Sequence, residues 1–533
     1  MDCHLSVRQY IAFCDCFSPS GAAYQHVKVK LCVRLAQALS NNSVTDFLIL
    51  EYNSEIGGRC RHASFGKDKN GNPYTVELGA NWIQGTQSPG RPANPIWTLV
   101  SICTLRKTRL DSSIIQSQKY QVKNNFSDDA SIETFDTSGP VDYTYKLKEY
   151  ETAYRKVEQD AGHIISDNLH DRSLRAALRD AGWDATGDPQ AEAVEYYELD
   201  TDYAQISKLS SEEFDVANEN SSFHGFSEVN NLVIDPRGFN AFLHGQASEF
   251  LKPNDSRLLL NKIVTKITYD NSGVIIQNSD GTCIAADYAI TTFSVGVLKS
   301  NHVKFSPALP DWKNTAIQTF EMGVYTKIFL QFPLDKVFWN TSTQFFLYAS
   351  PNTGYYTEWA SLDHEDFFPG SGILFVTVTT DLSLIVDKQD DKTTKQQVLI
   401  VLRQMFGKEN VPEPLDFMYP RWSLTPWAYG SYSNWPPGMT LEGHQNLRAN
   451  VGRVWFAGEA TSAEFYGYLQ GGYFSGQDTG ERVAACVNGA YARCQEEIHY
   501  EKLNATSGGS DEFGPQNGWF NRSFQTTGDT ADS

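Results

Sequence analysis

The 533-residue sequence lacks any apolar run that approaches the roughly 20 residues of a membrane-spanning helix, so it predicts no membrane partner. It is also short of basic residues, with 44 Lys and Arg against 64 Asp and Glu and a formal net charge of −20. Nucleic-acid binding needs basic patches, and this balance argues against a nucleic-acid partner. The acidic excess would concentrate cationic ligands near the surface, although solubility alone would explain it equally well.

Cysteine usage indicates neither a metal site nor a full disulfide framework. The nine cysteines are an odd number, and none has the paired C-x-x-C spacing of a zinc site. The first residues lack the apolar segment and small-residue cleavage site of a secretory signal peptide. Seven N-glycosylation sequons are nevertheless compatible with secretion, so secreted and cytoplasmic locations both stay open; the sequons begin at Asn41, Asn125, Asn220, Asn254, Asn340, Asn504 and Asn521.

The length exceeds what one hydrophobic core supports, so we expect two domains. Residues 44–51 have the pattern of a buried parallel strand, and residues 29–39 before them that of a helix. Alternating segments separated by glycine turns predict a β-meander, and two further segments predict helices. The meander is expected at 258–267, 273–278 and 283–291, the helices at 151–170 and 392–406, and a disordered tail from about 504.

Glu51 ends the predicted strand, where a dinucleotide-binding fold places a carboxylate for the ribose hydroxyls of adenosine. Gly57, Gly58 and Arg59 follow within a few residues. Adjacent glycines let the backbone approach a pyrophosphate, and an arginine can neutralise it. A strand-end glutamate or a Gly-Gly turn alone is a weak signal, and only their combination predicts a nucleotide site.

Two further glycine-rich blocks lie near opposite ends of the chain. One is Glu-Leu-Gly-Ala-Asn-Trp-Ile-Gln-Gly at 77–85, and the other is Trp-Phe-Ala-Gly-Glu-Ala at 455–460, followed by Gly-Tyr-Leu-Gln-Gly-Gly-Tyr at 467–473. With the Glu51 region, these blocks resemble the flavin-containing amine oxidases, and the sequence between them resembles the polyamine oxidase branch, especially its fungal members. The resemblance runs from about residue 36 to residue 488 and implies FAD as the cofactor.

The resemblance also implies contacts to each part of the cofactor. They are expected at the flavin ring (Gly79, Ala80, Asn81 and Trp82), at adenine (the backbone of Val264), and at the pyrophosphate and ribityl chain (Gly458 and Glu459). The helix that begins at Leu469, after Tyr468, would point its N-terminus at the flavin N1 and O2 edge and stabilise the anion of the reduced ring.

Lys327 lies in Val-Tyr-Thr-Lys-Ile-Phe-Leu-Gln-Phe at 324–332, which resembles the strand on which the family carries a lysine bound through water to flavin N5. A buried lysine is costly without a partner, so the alternative is an edge-strand lysine that reaches solvent. Tyr432 and Tyr468 match aromatic positions that sandwich the substrate amine. Their π faces suit a cationic amine, although ordinary core packing would also explain them.

The acidic stretch Glu192, Glu195, Glu198, Asp200 and Asp202 resembles the region that supplies carboxylates to the substrate tunnel. Which of them faces the tunnel stays open, and a solvated acidic face is an equal alternative. Gln84 stands where some plant relatives have a glutamate, and Gln470 stands where histidine is common. The register of the substrate is therefore open.

One expected motif is missing. A strand and a Gly-x-Gly-x-x-Gly loop should precede Glu51 by roughly 20 to 30 residues, because such a loop lets a helix N-terminus hold the pyrophosphate. The chain has Ser-Pro-Ser-Gly-Ala-Ala-Tyr-Gln-His-Val-Lys at 18–28 instead. We therefore expect this chain to bind FAD weakly.

The predicted fold is α/β, with a discontinuous Rossmann-like FAD-binding domain and an α+β substrate-binding domain that contains an antiparallel sheet. The first is assigned to 1–90, 225–305 and 437–500, the second to 91–224 and 306–436, and a disordered tail to 501–533. The implied reaction is oxidation of polyamines of the spermine and spermidine class by hydride transfer to flavin N5. Its products are an aldehyde, a shorter amine and, through O₂, H₂O₂.

Two alternatives to this function are kept. One is an oxidase for monoamines or amino acids, and the other is a flavin-deficient, non-catalytic relative. The sequence leaves the oligomeric state open.

Overall fold

The computed structural model describes residues 27–29, 33–105, 131–164, 167, 169–490, 494 and 496–503, with the backbone alone at 27–29 and 101–105. Most of the segment 18–28 and the predicted tail from about 504 lie outside these residues. Among the described helices, none is long and apolar enough to cross a bilayer.

The described strands are, in chain order, β1 (Val27–Val29), β2 (Phe47–Leu50), β3 (His62–Phe65), β4 (Tyr74–Glu77), β5 (Trp82–Ile83), β6 (Ile132–Asp136), β7 (Gly139–Pro140), β8 (Asn231–Leu232), β9 (Leu258–Leu259), β10 (Val264–Asp270), β11 (Gly273–Asn278), β12 (Cys283–Ala286), β13 (Ala289–Thr291), β14 (Lys304–Ser306), β15 (Glu321–Gly323), β16 (Tyr325–Gln331), β17 (Phe345–Ala349), β18 (Glu358–Ser361), β19 (Ile373–Thr379), β20 (Asp416–Met418), β21 (Tyr432–Asn434) and β22 (Val454–Phe456).

The described α-helices are α1 (Val33–Asn41), α2 (Pro95–Leu105), α3 (Tyr145–Ile164), α4 (Leu174–Ala181), α5 (Pro189–Glu195), α6 (Thr201–Tyr203), α7 (Glu212–Phe223), α8 (Ala241–Ala247), α9 (Val295–Lys299), α10 (Asp311–Thr319), α11 (Thr380–Lys388), α12 (Asp391–Phe406), α13 (Leu441–Arg448) and α14 (Leu469–Val487).

A parallel sheet of order β22-β13-β1-β2-β9 combines strands from three distant parts of the chain. The β1-α1-β2 unit lies at its centre, so the strand before Glu51 is confirmed. The helix predicted over 29–39 begins only at Val33, since Val29 belongs to β1. β-branched valines on alternate residues favour a strand there. Helix α14 packs on α1 at Gly480, where an added Cβ would lie 2.7 Å from the Leu35 carbonyl oxygen.

A seven-stranded sheet of order β20-β16-β19-β18-β17-β6-β7 carries the predicted Lys327 strand. Its neighbouring strands are antiparallel except for the β6 and β17 pair. Buried side chains of α11 and α12 pack with the strand residues in one apolar cluster, while α3, α4 and α5 pack against β17 in another. The antiparallel sheet predicted for the Lys327 strand is therefore confirmed.

The predicted meander is confirmed only for β10, β11 and β12, which pair antiparallel. Its first and last predicted segments each break in two, because β9 and β13 leave the meander and join the parallel sheet. This switch of sheets is a non-local pairing that alternation along the sequence does not encode. The domain boundaries given above stay a prediction.

The segment 496–503 is fastened to α13 and α14. Glu497 accepts a hydrogen bond from the Arg482 guanidinium and lies 3.5 Å from Nε of Arg448. Tyr500 and Asn446 exchange two hydrogen bonds, of 2.7 and 2.9 Å. A disulfide between Cys486 and Cys494 links the end of α14 to this part of the chain.

Candidate active site

A cavity of about 560 Å³ is lined on one side by residues that follow strands of the parallel sheet, such as Glu51 and Gly458, and on another by residues of the seven-stranded sheet, such as Lys327. It contains nearly all of the site residues that the sequence predicts: Glu51, Gly57, Gly58, Arg59, Gly79, Ala80, Asn81, Trp82, Lys327, Tyr432, Gly458, Glu459, Tyr468 and Leu469. The exception is Val264, which does not line the cavity and whose side chain is buried in an apolar cluster with Leu50. Its role at adenine, which was assigned to its backbone, stays a prediction.

Bare backbone forms the cavity wall near Glu51. Gly57, Gly58 and Gly458 have left-handed φ angles of +131°, +57° and +135°. No atom lies within 4 Å of a Cβ built on Gly58 or Gly458, so both glycines face open space that a side chain would fill. The buried carboxylate of Glu51 accepts a 2.9 Å hydrogen bond from the Asn53 backbone N–H at the end of β2. This wall fits a flavin nucleotide, because its backbone can approach a flat ligand and a diphosphate closely.

Gly79 serves a different purpose. A Cβ on it would lie 1.7 Å from the Arg59 carbonyl oxygen, so only glycine permits the two segments to touch. Arg59 in turn pairs with Glu459, with 2.9 Å between Nη1 and Oε1, and donates to the Ser431 carbonyl at 2.8 Å. The charge that the sequence assigned to a pyrophosphate is therefore largely neutralised within the protein.

Glu459 also orders the substrate side of the cavity. Its second oxygen, Oε2, accepts a 2.7 Å hydrogen bond from the Gly467 backbone N–H and another from the Ser433 hydroxyl. Ser433 lies in β21 beside Tyr432, and Gly467 precedes Tyr468. One buried carboxylate thus fixes both segments that carry the predicted aromatic pair.

Lys327 is buried at the middle of β16, an interior strand, so the edge-strand alternative is wrong. Its Nζ donates to the Gly79 carbonyl at 2.6 Å and is 3.3 Å from the Glu77 carbonyl. Burial lowers the pKa of Lys327 to about 7, although the Glu77 and Glu358 carboxylates oppose this shift. Burial likewise raises the pKa of Glu77 to about 7. Both groups therefore change protonation near neutral pH.

Tyr432 and Tyr468 both line the cavity and are half-buried. The Tyr432 hydroxyl donates to the Thr201 carbonyl at 2.6 Å, and its ring centroid lies 6.0 Å from that of Tyr325. A Cβ on Gly467 would lie 3.7 Å from Cδ2 of Tyr432, so the turn that holds Tyr468 lies beside the Tyr432 ring. Their sandwich around an amine stays a prediction.

The acidic stretch divides into two sets. Glu198 and Asp202 line the cavity. Glu195 instead pairs with Arg175 at 2.6 Å, and Asp200 accepts the Ser207 backbone N–H at 3.0 Å. Glu192 also lies outside the cavity. The stretch is therefore not one solvated face, and its two cavity residues are identified.

Five further carboxylates on the cavity wall were missed from the sequence: Glu151, Glu158, Glu219, Glu228 and Glu358. Glu358 begins β18, a strand of four buried residues, but its sequence Glu-Trp-Ala-Ser has no apolar run that would signal this burial. Burial raises the pKa of Glu158 and of Glu358 to about 7. Asp202 lies inside the protein, and the exposed part of its side chain faces the cavity. Burial raises the pKa of Asp202, and the charges of Glu219 and Glu358 raise it further.

The two glutamines that depart from the family pattern differ in position. Gln84 lines the cavity. Gln470 is buried behind it, where its amide donates to the Ser222 hydroxyl at 2.9 Å. Of the two positions, only Gln84 is placed to meet a substrate.

Comparison with known proteins agrees with this geometry. Residues 35–484 match the model of the family described as flavin containing amine oxidoreductase. The chain is 36% identical to Polyamine oxidase 1 of Zea mays over 472 residues, which cover 85% of this chain and 88% of that protein. It is 35% identical to Polyamine oxidase 7 of Oryza sativa subsp. japonica over 460 residues, which cover 83% and 90%.

Solved structures show the same fold. A putrescine oxidase bound to putrescine superposes with a TM-score of 0.64 at 15% identity, covering 87% of this chain and 99% of that one. Cyclohexylamine oxidase from Brevibacterium oxydans IH-35A gives 0.63 at 16% identity, with coverage of 87% and 99%. The α/β fold prediction is confirmed, and the cofactor is FAD. The cavity, the matched family model and the relatives lead to one conclusion: the chain belongs to the flavin containing amine oxidoreductase family.

Proposed function

We propose that this enzyme oxidises polyamines of the spermine and spermidine class. The observation that carries the proposal is a set of carboxylates on the cavity wall: Glu151, Glu158, Glu198, Asp202, Glu219, Glu228 and Glu358. A linear polycation presents several amines, and each needs a counter-charge when it leaves water. The maize and rice relatives named as polyamine oxidases support the same substrate class.

The cavity carboxylates also suit a ligand that arrives charged. Burial raises the pKa of Glu358 to about 7, and at Asp202 burial and the charges of Glu219 and Glu358 raise the pKa, so both groups favour the protonated form more than an exposed carboxyl does. An ammonium group beside such a pair favours the ionised form, because it replaces the lost solvation. A neutral or monovalent amine would compensate fewer of these groups. The site therefore gains most from a substrate with several positive charges.

FAD held at the wall of Gly57, Gly58 and Gly458 would supply the two-electron acceptor for oxidation of the carbon beside a deprotonated amine, with O₂ as the final oxidant and H₂O₂ as its product. The Lys327 ammonium uses two of its three N–H donors on the Gly79 and Glu77 carbonyls, which leaves one for a water in the cavity. Tyr432 and Tyr468 hold the amine by their π faces and exclude bulk water. Hydrolysis of the resulting iminium gives the aldehyde and the shorter amine.

The test measures H₂O₂ formation by the FAD-loaded enzyme with spermine, spermidine and benzylamine. We expect kcat/KM for spermine to exceed that for benzylamine by about 100-fold or more. Asp202→Asn should lower kcat/KM for spermine by roughly 10-fold or more. Glu192→Gln is the matched control, because Glu192 belongs to the same acidic stretch but accepts the Thr353 hydroxyl outside the cavity at 2.6 Å.

Two results would overturn this proposal. A preference for benzylamine or for amino acids would favour the monoamine or amino-acid oxidase. Failure to form a yellow complex after refolding with FAD would favour the flavin-deficient relative.

A further inference from the structure

The first turn of α1 brings an arginine to the cofactor cavity. In dinucleotide-binding folds, the helix after the first strand directs its N-terminus at the pyrophosphate, and a glycine loop makes that approach possible. Here the sequence has no glycine between Gly21 and Gly57. Val33 and Arg34, the first two residues of α1, nevertheless line the same cavity as Glu51, Gly58 and Gly458.

Arg34 has neutral partners. Its Nη1 donates to the Gln37 side-chain oxygen at 2.7 Å, and its Nη2 donates to the Gln477 side-chain oxygen at 3.0 Å. The guanidinium carbon lies 4.8 Å from the centroid of the Tyr473 ring. These partners, as far as the described residues go, are two amides and an aromatic face, and no carboxylate among them neutralises the charge.

The other arginine at this wall differs in this respect. Arg59 is paired with Glu459 at 2.9 Å, so it offers little net charge to an anion. The Arg34 guanidinium lies against the ring of Tyr473, on the α14 side of the cavity. Gly472, the residue before Tyr473, lies close to Glu459, because a Cβ on Gly472 would be 4.0 Å from the Glu459 backbone nitrogen. The uncompensated guanidinium thus lies on the wall formed by the glycine-rich segments.

We propose that Arg34 is a cofactor-binding residue whose guanidinium contacts the pyrophosphate of FAD and replaces the N–H groups of the missing glycine loop. A guanidinium has five N–H donors, and its bonds to Gln37 and Gln477 occupy at most three, since Nε is 3.4 Å from Gln477. One donor on each terminal nitrogen is left, and this fork matches two phosphate oxygens. The proposal concerns the cofactor and is independent of the identity of the amine.

The test uses full-length protein stripped of FAD and measures the dissociation constants of FAD, ADP and adenosine by calorimetry. Arg34→Gln should weaken the binding of FAD and of ADP by roughly 10- to 100-fold and leave the binding of adenosine unchanged, because only the first two ligands contain the diphosphate. The affinity of Arg34→Lys for FAD and ADP should lie between that of the parent and that of Arg34→Gln, since lysine keeps the charge but lacks the forked donor pair of arginine. Added NaCl should weaken the binding of ADP less in Arg34→Gln than in the parent.

Arg453→Gln is the matched control. Arg453 also stacks on a tyrosine, with 4.9 Å from its guanidinium carbon to the Tyr288 ring centroid, but it lies outside the cavity. We expect this variant to bind FAD as the parent does.

Three outcomes would overturn the assignment. They are an Arg34→Gln variant with parental affinity for FAD and ADP, an equal loss of adenosine binding, and an equal loss in Arg453→Gln. If Arg34→Gln does not fold, Arg34→Lys with unchanged FAD and ADP affinity and unchanged salt dependence would also refute it.

Discussion

At the scale of single residues, Lys327 is the group whose replacement should separate chemistry from cofactor binding. Lys327→Met removes a charge and a water contact but leaves the glycine-rich wall intact. Stopped-flow absorbance should show flavin reduction or reoxidation slowed by about 10-fold or more, with FAD still bound. Because the pKa of Lys327 is about 7, any step that this group causes in the pH profile near neutrality should vanish.

Lys336→Met is the control for this variant, because Lys336 lies in an exposed turn that follows the same strand. Equal rates in both half-reactions for Lys327→Met and the parent would count decisively against the proposed role.

Glu213 predicts a pH dependence of stability that is unrelated to catalysis. It is buried outside the cavity, its Oε1 has no hydrogen-bond partner among the described residues, and burial raises its pKa to about 9. Since this folded-state pKa exceeds the unfolded value, the stability that the group contributes is present below about pH 4.5 and is lost as pH rises towards 9. The loss is about 1.4 kcal/mol per pH unit as an upper bound.

Glu213→Gln mimics the protonated acid and should remove that loss. Its melting temperature should equal that of the parent near pH 4.5 and exceed it increasingly at pH 7 and 9. Glu149→Gln, at an exposed position of α3, should leave the melting temperature unchanged at every pH. A Glu213→Gln protein less stable than the parent at pH 9 would contradict the assignment.

Residues predicted from the sequence were those with a local motif. Lys327 was identified because its segment, 324–332, resembles the strand that carries a lysine in the family, whereas Glu358 in β18 has no such motif. Glu158 and Glu219 offered none, since a glutamate on a helix such as α3 or α7 is ordinary until another element packs over it. The Asn220 sequon gave no sign that its asparagine is buried in the described fold.

At the scale of elements, the fastening of segment 496–503 makes a prediction. Glu497 is the carboxylate between Arg448 and Arg482, and its side chain is 3% exposed. Glu497→Gln removes the negative charge that balances the two arginines, so it should lower the free energy of unfolding by about 1 to 3 kcal/mol. Thermal melting of the FAD-loaded protein measures this loss.

Glu501→Gln provides the comparison, since Glu501 lies on the same segment with its side chain 78% exposed and should change stability little. Equal melting temperatures for Glu497→Gln and Glu501→Gln would show that the segment contributes little to stability.

Elements with a clear hydrophobic periodicity along the sequence were predicted well. Elements whose bounds depend on packing or on strand pairing with distant segments were not. The helix expected at 392–406 is α12, Asp391–Phe406, with an Asp390 side chain that accepts the Thr393 backbone N–H. Helix α3 begins at Tyr145 instead of 151, because its start lacks a strong sequence signal and depends on packing against α4. The departure of β9 and β13 from the meander likewise follows from pairing with distant strands.

At the scale of the whole molecule, the net charge of −20 and the acid-lined cavity should act together on the encounter with substrate. Raising NaCl from about 0.02 to about 0.5 M should lower kcat/KM for spermine by roughly 10-fold, because salt screens attraction to a polycation. For benzylamine, a monocation, the decrease should be much smaller. Initial rates of H₂O₂ formation at matched pH test this, and equal salt dependence for both amines would contradict it.

At this scale, the sequence predicted that the glycine-rich blocks would meet at one cavity, but it did not predict the full set of carboxylates on the cavity wall. Glu51, Gly79 and Gly458 line one cavity, as blocks at both chain ends predicted, because strands β2 and β22 belong to one parallel sheet. Of the missed carboxylates on the other side, Glu151 and Glu158 come from α3, Glu219 from α7 and Glu358 from β18, and their meeting depends on tertiary packing. No short motif records such a meeting.

The bonds of Glu459 have a thermodynamic consequence. This carboxylate belongs to the cofactor wall through Arg59, and it also fixes the segments of Tyr432 and Tyr468 through Ser433 and Gly467. We therefore expect that ordering one side lowers the entropic cost of ordering the other, and that FAD and the amine bind cooperatively. Linkage makes this coupling reciprocal: an amine that resists oxidation must tighten FAD by the same factor by which FAD tightens that amine.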